Sequence, residues 1–129
     1  VILLDTQAIA WMIAAPENLS KAAHDAISEA RKGLGLAISD RSLWELAMMV
    51  TRHQMDIDMT LHAYLRHVES VCTVLPIDAS VADRSMRFSS KFPRDPADKI
   101  IAATAIVHGL KLVTSDKPIR KSGEVSCIW

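Results

Sequence analysis

The chain opens on an unbroken apolar run, Val1 to Leu4, that stops at Asp5. A short run without alternation is the pattern of a strand buried on both faces. From about Gln7 to Ala14 the apolar spacing becomes helical, and Pro16 ends it. A second helix is predicted from near Ser20, with Leu19, Ala23, Ala26, Ile27 and Ala30 along one stripe and a stop at Gly33. Leu34 to Ser39 reads as another short apolar strand, and Ser42 to Arg52 as a helix. Asp58 is expected to cap a further helix that carries Leu61, Tyr64, Leu65 and Val68 at core spacing.

Val71 to Ile77 is rich in β-branched residues and reads as a strand with Pro76 at its exit. A helix over about Ser80 to Ser89 and a loop from Lys91 to Arg94 follow. Asp95-Pro96 is a strong helix start, and that helix runs to His108 and closes at Gly109. Leu110 to Thr114 is a fourth strand with Asp116 just beyond it; after a short turn, Val125 to Trp129 reads as an edge strand. Strands that alternate with helices predict an α/β fold built on a parallel sheet with right-handed crossovers. No repeat, low-complexity tract or glycine-serine linker divides the sequence, so one domain over residues 1–129 is expected.

Composition narrows the class. Of 129 residues, 50% are hydrophobic and 23% charged, which excludes a disordered or collagen-like chain. Fifteen basic residues balance fifteen acidic ones, so bulk charge alone indicates neither a nucleic-acid coat nor a membrane-surface protein. Cys72 and Cys127 make no metal-finger spacing and sit in apolar β-like runs, where a cysteine acts as a small hydrophobe; a reducing cytoplasm is the expected location. No apolar run reaches the roughly 18 residues of a membrane span, and VILLD lacks the charged start of a signal peptide. His24, His53, His62, His67 and His108 share no metal-ligand spacing and are expected at the surface or at helix ends.

Four acids hold equivalent positions. Asp5 follows the first strand, and Glu45 lies in the predicted first turn of the helix after the second. Asp98 lies in the first turn of the helix that leads into the fourth strand, and Asp116 follows that strand. In a parallel sheet all four belong to the carboxyl edge, where ligands bind. Carboxylates packed there repel one another and must take up protons or bind a cation, and oxygen-only ligands suit Mg²⁺ or Mn²⁺. Each acid also has a structural use. Asp5 and Asp95 suit helix N-caps, Ser42 and Glu45 match a capping box, and Asp116 can cap the turn at Pro118. The set of four is what favours a site.

Between Lys91 and Lys121 lie seven basic residues: Lys91, Arg94, Lys99, Lys111, Lys117, Arg120 and Lys121. The acids of that stretch are Asp95, Asp98 and Asp116. An acidic metal pocket with a basic surround suits a phosphodiester polymer, although a solvated positive face gives the same pattern.

These segments resemble the PIN domain, specifically the toxin ribonucleases of type II toxin–antitoxin systems (the VapC family). The matching pieces are LLDTQAIAWMI, SDRSLWELAMMV and RDPADKIIAATAIVHGLKLVTSDKPIRKSG, and VSCIW is similar to the family's last strand. The resemblance implies a three-layer α/β/α sandwich with a mainly parallel central sheet. It implies that Asp5, Glu45, Asp98 and Asp116 form an acidic active site that binds Mg²⁺ or Mn²⁺, with Asp95 as a secondary candidate. Thr114 and Ser115 of V-T-S-D would orient the last acid or a metal-bound water, and Arg94, Lys99 and Lys117 would contact the substrate. Lys99 departs from the more usual arginine, which keeps the charge but loses bidentate geometry. Pro93 and Arg94 occupy a segment that often carries histidine.

The activity so implied is metal-assisted hydrolysis of RNA, leaving 5′-phosphate and 3′-hydroxyl ends. Asp5 and Asp98 would hold the first ion, and Glu45 and Asp116 would complete its shell directly or through water. The resemblance also implies a cognate antitoxin and a homodimer. Ile9, Ala10, Trp11, Met12 and Ile13 on the first helix, with Trp44, Met48 and Met49 on the third, suit a core and also a groove for an amphipathic partner helix. A housekeeping RNA-processing nuclease and a non-cleaving RNA- or protein-binding domain remain alternatives. Aspartate-nucleophile phosphatases are disfavoured because Gln7 stands where they need a second aspartate, and Asp78 fits a receiver-domain phosphoacceptor only loosely.

Overall fold

The computed structural model describes residues 1–129. Its strands are β1 (Ile2–Leu4), β2 (Leu36–Ser39), β3 (Thr73–Leu75), β4 (Leu112–Val113) and β5 (Cys127–Ile128). The helices are α1 (Thr6–Ala14), α2 (Lys21–Lys32), α3 (Asp40–Thr51), α4 (Leu61–Val71), α5 (Ala79–Ser85), α6 (Pro96–Val107) and α7 (Lys117–Ser122), with a 3₁₀ turn at Pro16–Asn18. The sheet order is β3-β2-β1-β4-β5, and every pairing is parallel, so the expected mainly parallel sheet is wholly so. The chain builds outward from β1 to β3, then returns to the other flank of β1. The direction of winding thus reverses beside β1, the place where parallel sheets bind ligands.

The apolar strand runs divide between two cores. Leu4, Leu36, Ile38 and Val113 face Ile9, Ile27, Leu46, Tyr64 and Val68 of α1 to α4. Leu3, Ala37 and Leu112 face Ile101, Ala102 and Ala105 of α6, with Ile119 and Phe92. Consecutive strand residues therefore enter opposite layers, and both layers exclude water. The result is an α/β/α sandwich. Trp11 packs on Trp129, ring centroids 5.8 Å apart, which ties α1 to the C-terminus.

Several local expectations are corrected. The strands are shorter than the apolar runs, and Leu34 is 85% exposed ahead of Gly35. Thr60, not Asp58, caps α4: its hydroxyl accepts from the Ala63 N–H at 3.1 Å, one residue before the apolar stripe begins. Ser39, the last residue of β2, caps α3, so that helix starts at Asp40 and Ser42 lies inside it. The capping box of Ser42 and Glu45 is therefore not formed, and Glu45 sits in the second turn. The helix after β3 ends at Ser85, and Phe88 stacks on Phe92 with centroids 4.1 Å apart. The expected turn after β4 is the helix α7, closed by Gly123 in the left-handed conformation at φ 68°. Helix α6 ends on Gly109 at φ 65°; Gly109 N–H bonds Ile106 O, and Leu110 N–H bonds Ala105 O. All five histidines are exposed, as expected.

Ile38 is fully buried on β2, an interior strand of the sheet. Ile38→Ala is expected to cost roughly 2–5 kcal/mol in urea unfolding, because packed layers on that face cannot collapse into the cavity.

Candidate active site

The carboxyl edge of the sheet is held together by main-chain bonds before any side chain acts. The Asp5 N–H donates to Val113 O at 3.1 Å, and the Thr114 N–H donates to Ile128 O at 3.2 Å. These bonds fix the exits of β1, β4 and β5 side by side. Asp5 then caps α1, Oδ1 accepting from the Ala8 N–H at 2.7 Å. Asp116 caps α7 in the same way, Oδ1 accepting from the Ile119 N–H at 3.0 Å. Asp95 caps α6 through the Ala97 N–H at 2.8 Å, which sets Asp98 in that helix's first turn.

Asp5, Glu45, Asp98 and Asp116 line one hollow of about 350 Å³. Thr6, Gln7, Met49, Ile101 and Ser115 complete its wall. Capping and site roles thus coexist at Asp5 and Asp116, since each carboxylate commits one oxygen to its helix and keeps a second. The Asp98 carboxylate accepts no hydrogen bond within 3.5 Å. Glu45 is steered from across the cleft. Thr6 Oγ1 lies 2.6 Å from Glu45 Oε1 and 3.0 Å from Ser42 Oγ. One hydroxyl proton cannot serve both contacts, so Thr6 donates to the carboxylate and Ser42 donates to Thr6. Thr6 was not among the residues expected from sequence; its signal was its place directly after Asp5 at a strand exit.

Crowding shows in the ionisation of the site. Burial raises Asp5 from 3.8 to about 6, aided by the charges of Asp116 and Glu45, while the Thr114 hydroxyl and the Ala8 N–H pull it down. Burial also raises Asp98 to about 7, and repulsion from Asp95, Asp116, Glu45 and Asp5 adds to it. Two acids of the cluster thus hold protons well above the usual carboxylate range.

The donor set fits a hard divalent ion: every ionisable group on the wall is a carboxylate, and no histidine or cysteine intervenes. As they stand, no three of the acids are drawn close enough to clasp one ion together. The carboxylates of Asp5, Asp98, Asp116 and Glu45 nonetheless lie around a shared space.

The remaining expected residues fall into three places. Thr114 is fully buried beneath the cleft, where its hydroxyl accepts from the Asp116 N–H at 3.1 Å and bears on Asp5. Its partners are therefore the first acid's carboxylate and the last acid's main chain. Ser115 is on the wall. Asp95 is exposed and off the wall, acting on Asp98 through charge. Arg94 and Lys99 line a neighbouring hollow with Met86 and Ile100, and Lys117 lines another with Arg120 and Lys121.

Two outcomes are expected. Asp5 and Asp98 titrate higher when folded than unfolded, so the folded state binds more protons. The contribution of these two acids to stability is then greatest in acid and is lost as pH rises from about 4 through about 7. Asp98→Asn should raise the urea midpoint most at about pH 8, less at about pH 5, and little below about pH 4. Thr6→Val strands the Ser42 hydroxyl and one oxygen of Glu45, and should cost roughly 1–3 kcal/mol that Thr6→Ser restores.

Comparison with known proteins gives this chain a family. The PIN domain description matches residues 2–124. Ribonuclease VapC22 of Mycobacterium tuberculosis is 36% identical over 119 residues, covering 92% of this chain and 89% of the relative. Among solved structures, VapBC2 from Rickettsia felis bound to a promoter DNA fragment superposes with a TM-score of 0.75 at 17% identity, over 98% of this chain and 96% of that one. A toxin–antitoxin complex from Klebsiella pneumoniae gives 0.67 at 21% identity, over 92% and 89%. These two share the fold; the sequence relative and the domain match carry the kinship. The chain belongs to the PIN-domain family, among its VapC-type ribonucleases.

Proposed function

We propose that the protein is an endoribonuclease toxin that hydrolyses RNA phosphodiester bonds with Mg²⁺ or Mn²⁺ in the acidic hollow. The observation that carries this reading is the meeting of four carboxylates from four separate segments in one cleft, where burial and mutual repulsion raise the proton affinity of Asp5 and Asp98. A purely structural cluster gains nothing from such repulsion, whereas a bound divalent ion turns it into attraction.

Asp5 and Asp98 are the ligands for a first ion, and Glu45 and Asp116 complete the shell directly or through water. When bound, the ion lowers the pKa of an attacking water and stabilises charge on the phosphate oxygens. The chain's own contribution is placement. Thr6 and Ser42 fix the direction of Glu45, and Thr114 holds Asp5 and the start of α7 in register. Ser115 lies where its hydroxyl can orient a water at the last acid. Arg94, Lys99 and Lys117, on either side of the acids, are the cations for the substrate backbone.

The hollow between α1 and α3, about 320 Å³ and lined by Ala10, Trp11, Ala14, Met49 and Met55, is the place for an antitoxin segment. The Klebsiella complex of the same fold supports an antitoxin as the partner. A homodimer and a cytoplasmic location complete the reading; no helix is long and apolar enough to cross a membrane. Presence of all four acids favours a cleaving enzyme over a binding domain that has lost its chemistry.

The test is cleavage of a labelled RNA with Mg²⁺ and with EDTA. Asp5→Asn or Asp98→Asn is expected to lower the rate by at least about a hundredfold, the scale of losing a charged ligand. Calorimetric titration with Mn²⁺ should show weakened binding in the same variants. Full metal-dependent cleavage by a folded Asp98→Asn protein would overturn the assignment.

A further inference from the structure

Helix α7 carries a second hollow that the acids do not explain. It holds about 320 Å³, and its wall is made by Lys117, Arg120 and Lys121 alone. They stand at positions i, i+3 and i+4, so one helix face presents three cations to the same space. None of them is within salt-bridge distance of a carboxylate. Lys117 and Lys121 are exposed, while Arg120 is half-buried.

Arg120 is set in place. One of its terminal nitrogens, Nη2, donates to Ser115 O at 3.3 Å, the residue just before the catalytic acid Asp116. Its Nε is enclosed and has no partner. A guanidinium that is partly desolvated, anchored by one carbonyl and left without a counter-charge is unfavourable in isolation and is relieved by an anion. The favourable field of a helix C-terminus accounts for a cation in the last turn, yet Lys117 stands in the first turn and gains nothing from it.

We infer that this hollow is a subsite for the RNA backbone, holding a phosphate next to the one that is cleaved. The inference rests on the ribonuclease reading and deepens it. Arg120 is the anchor, because its planar fork suits phosphate oxygens, and Lys117 and Lys121 supply unspecific charge. Asp116 ends the wall of the acidic cleft, and Lys117 starts the wall of this one, so a strand leaving the acids enters the cations at once. Without an aromatic or amide group on its wall, the subsite reads charge and ignores base identity.

Salt dependence separates this from a merely solvated face. Fluorescein-labelled single-stranded RNAs of about 12 nucleotides, made of A, C or U, are bound in EDTA across about 50 to 300 mM KCl and read by anisotropy. The slope of log Kd against log salt should shrink by about 0.7 for each phosphate that is no longer neutralised. Arg120→Ala and Lys117→Ala/Lys121→Ala should therefore each flatten it by about 0.7, the share of the one phosphate held there, equally on all three RNAs. Should Arg120→Ala fail to fold by circular dichroism, the surface double variant and Arg120→Gln carry the test. An unchanged slope in folded variants overturns the subsite even if Mg²⁺-dependent cleavage by the unsubstituted protein is intact. Absence of that cleavage sinks the ribonuclease reading instead. Variants that keep the RNA slope but lose a co-purifying antitoxin assign the hollow to a protein partner and overturn the inference.

Discussion

Repulsion among carboxylates is the constraint around which this molecule is organised. Four negative groups at one edge of a sheet separate unless something holds their backbones, and here the holding is done by the fold itself. The exits of β1, β4 and β5 are bonded to one another through main-chain N–H and C=O groups. Asp5 and Asp116 are each committed to the start of a helix through one oxygen. The cost of proximity is offset by two buried cores on either face of the sheet, and what is left over appears as elevated proton affinity at Asp5 and Asp98. Folding stability is given up at the place where chemistry needs charge density.

Two buried threonines give that arrangement its direction. Thr6 stands over Glu45, and Thr114 lies under Asp5 with the Asp116 N–H on its oxygen. Each hydroxyl joins segments far apart in sequence; Thr114 is fully buried, and Thr6 is nearly so at the wall of the cleft. The acids are consequently fixed in orientation while still spread in distance.

Much of this was legible in the sequence, because the physics involved is local. A continuous apolar run that ends on an acid specifies a doubly buried strand and a residue at its carboxyl edge. Asp95-Pro96 specifies a helix start and so the place of Asp98. What failed was equally physical. Ser39 and Thr60 displaced Ser42 and Asp58 as caps because a cap is chosen by where the helix begins, which packing decides. Helix α7 is hidden from the sequence since only Ile119 of its six residues is buried, leaving almost no apolar period to detect. The role of Thr6 depends on a contact 39 positions away and could be seen only once the chain was folded.

The order in which the sheet is assembled has a consequence for a protein that destroys RNA. Its first acid is made almost at once, yet the fourth arrives at residue 116 and is positioned only when β4 has β5 beside it. A chain that stops before β5 lacks the strand that holds the exit of β4, and its last acid has no fixed place beside the first.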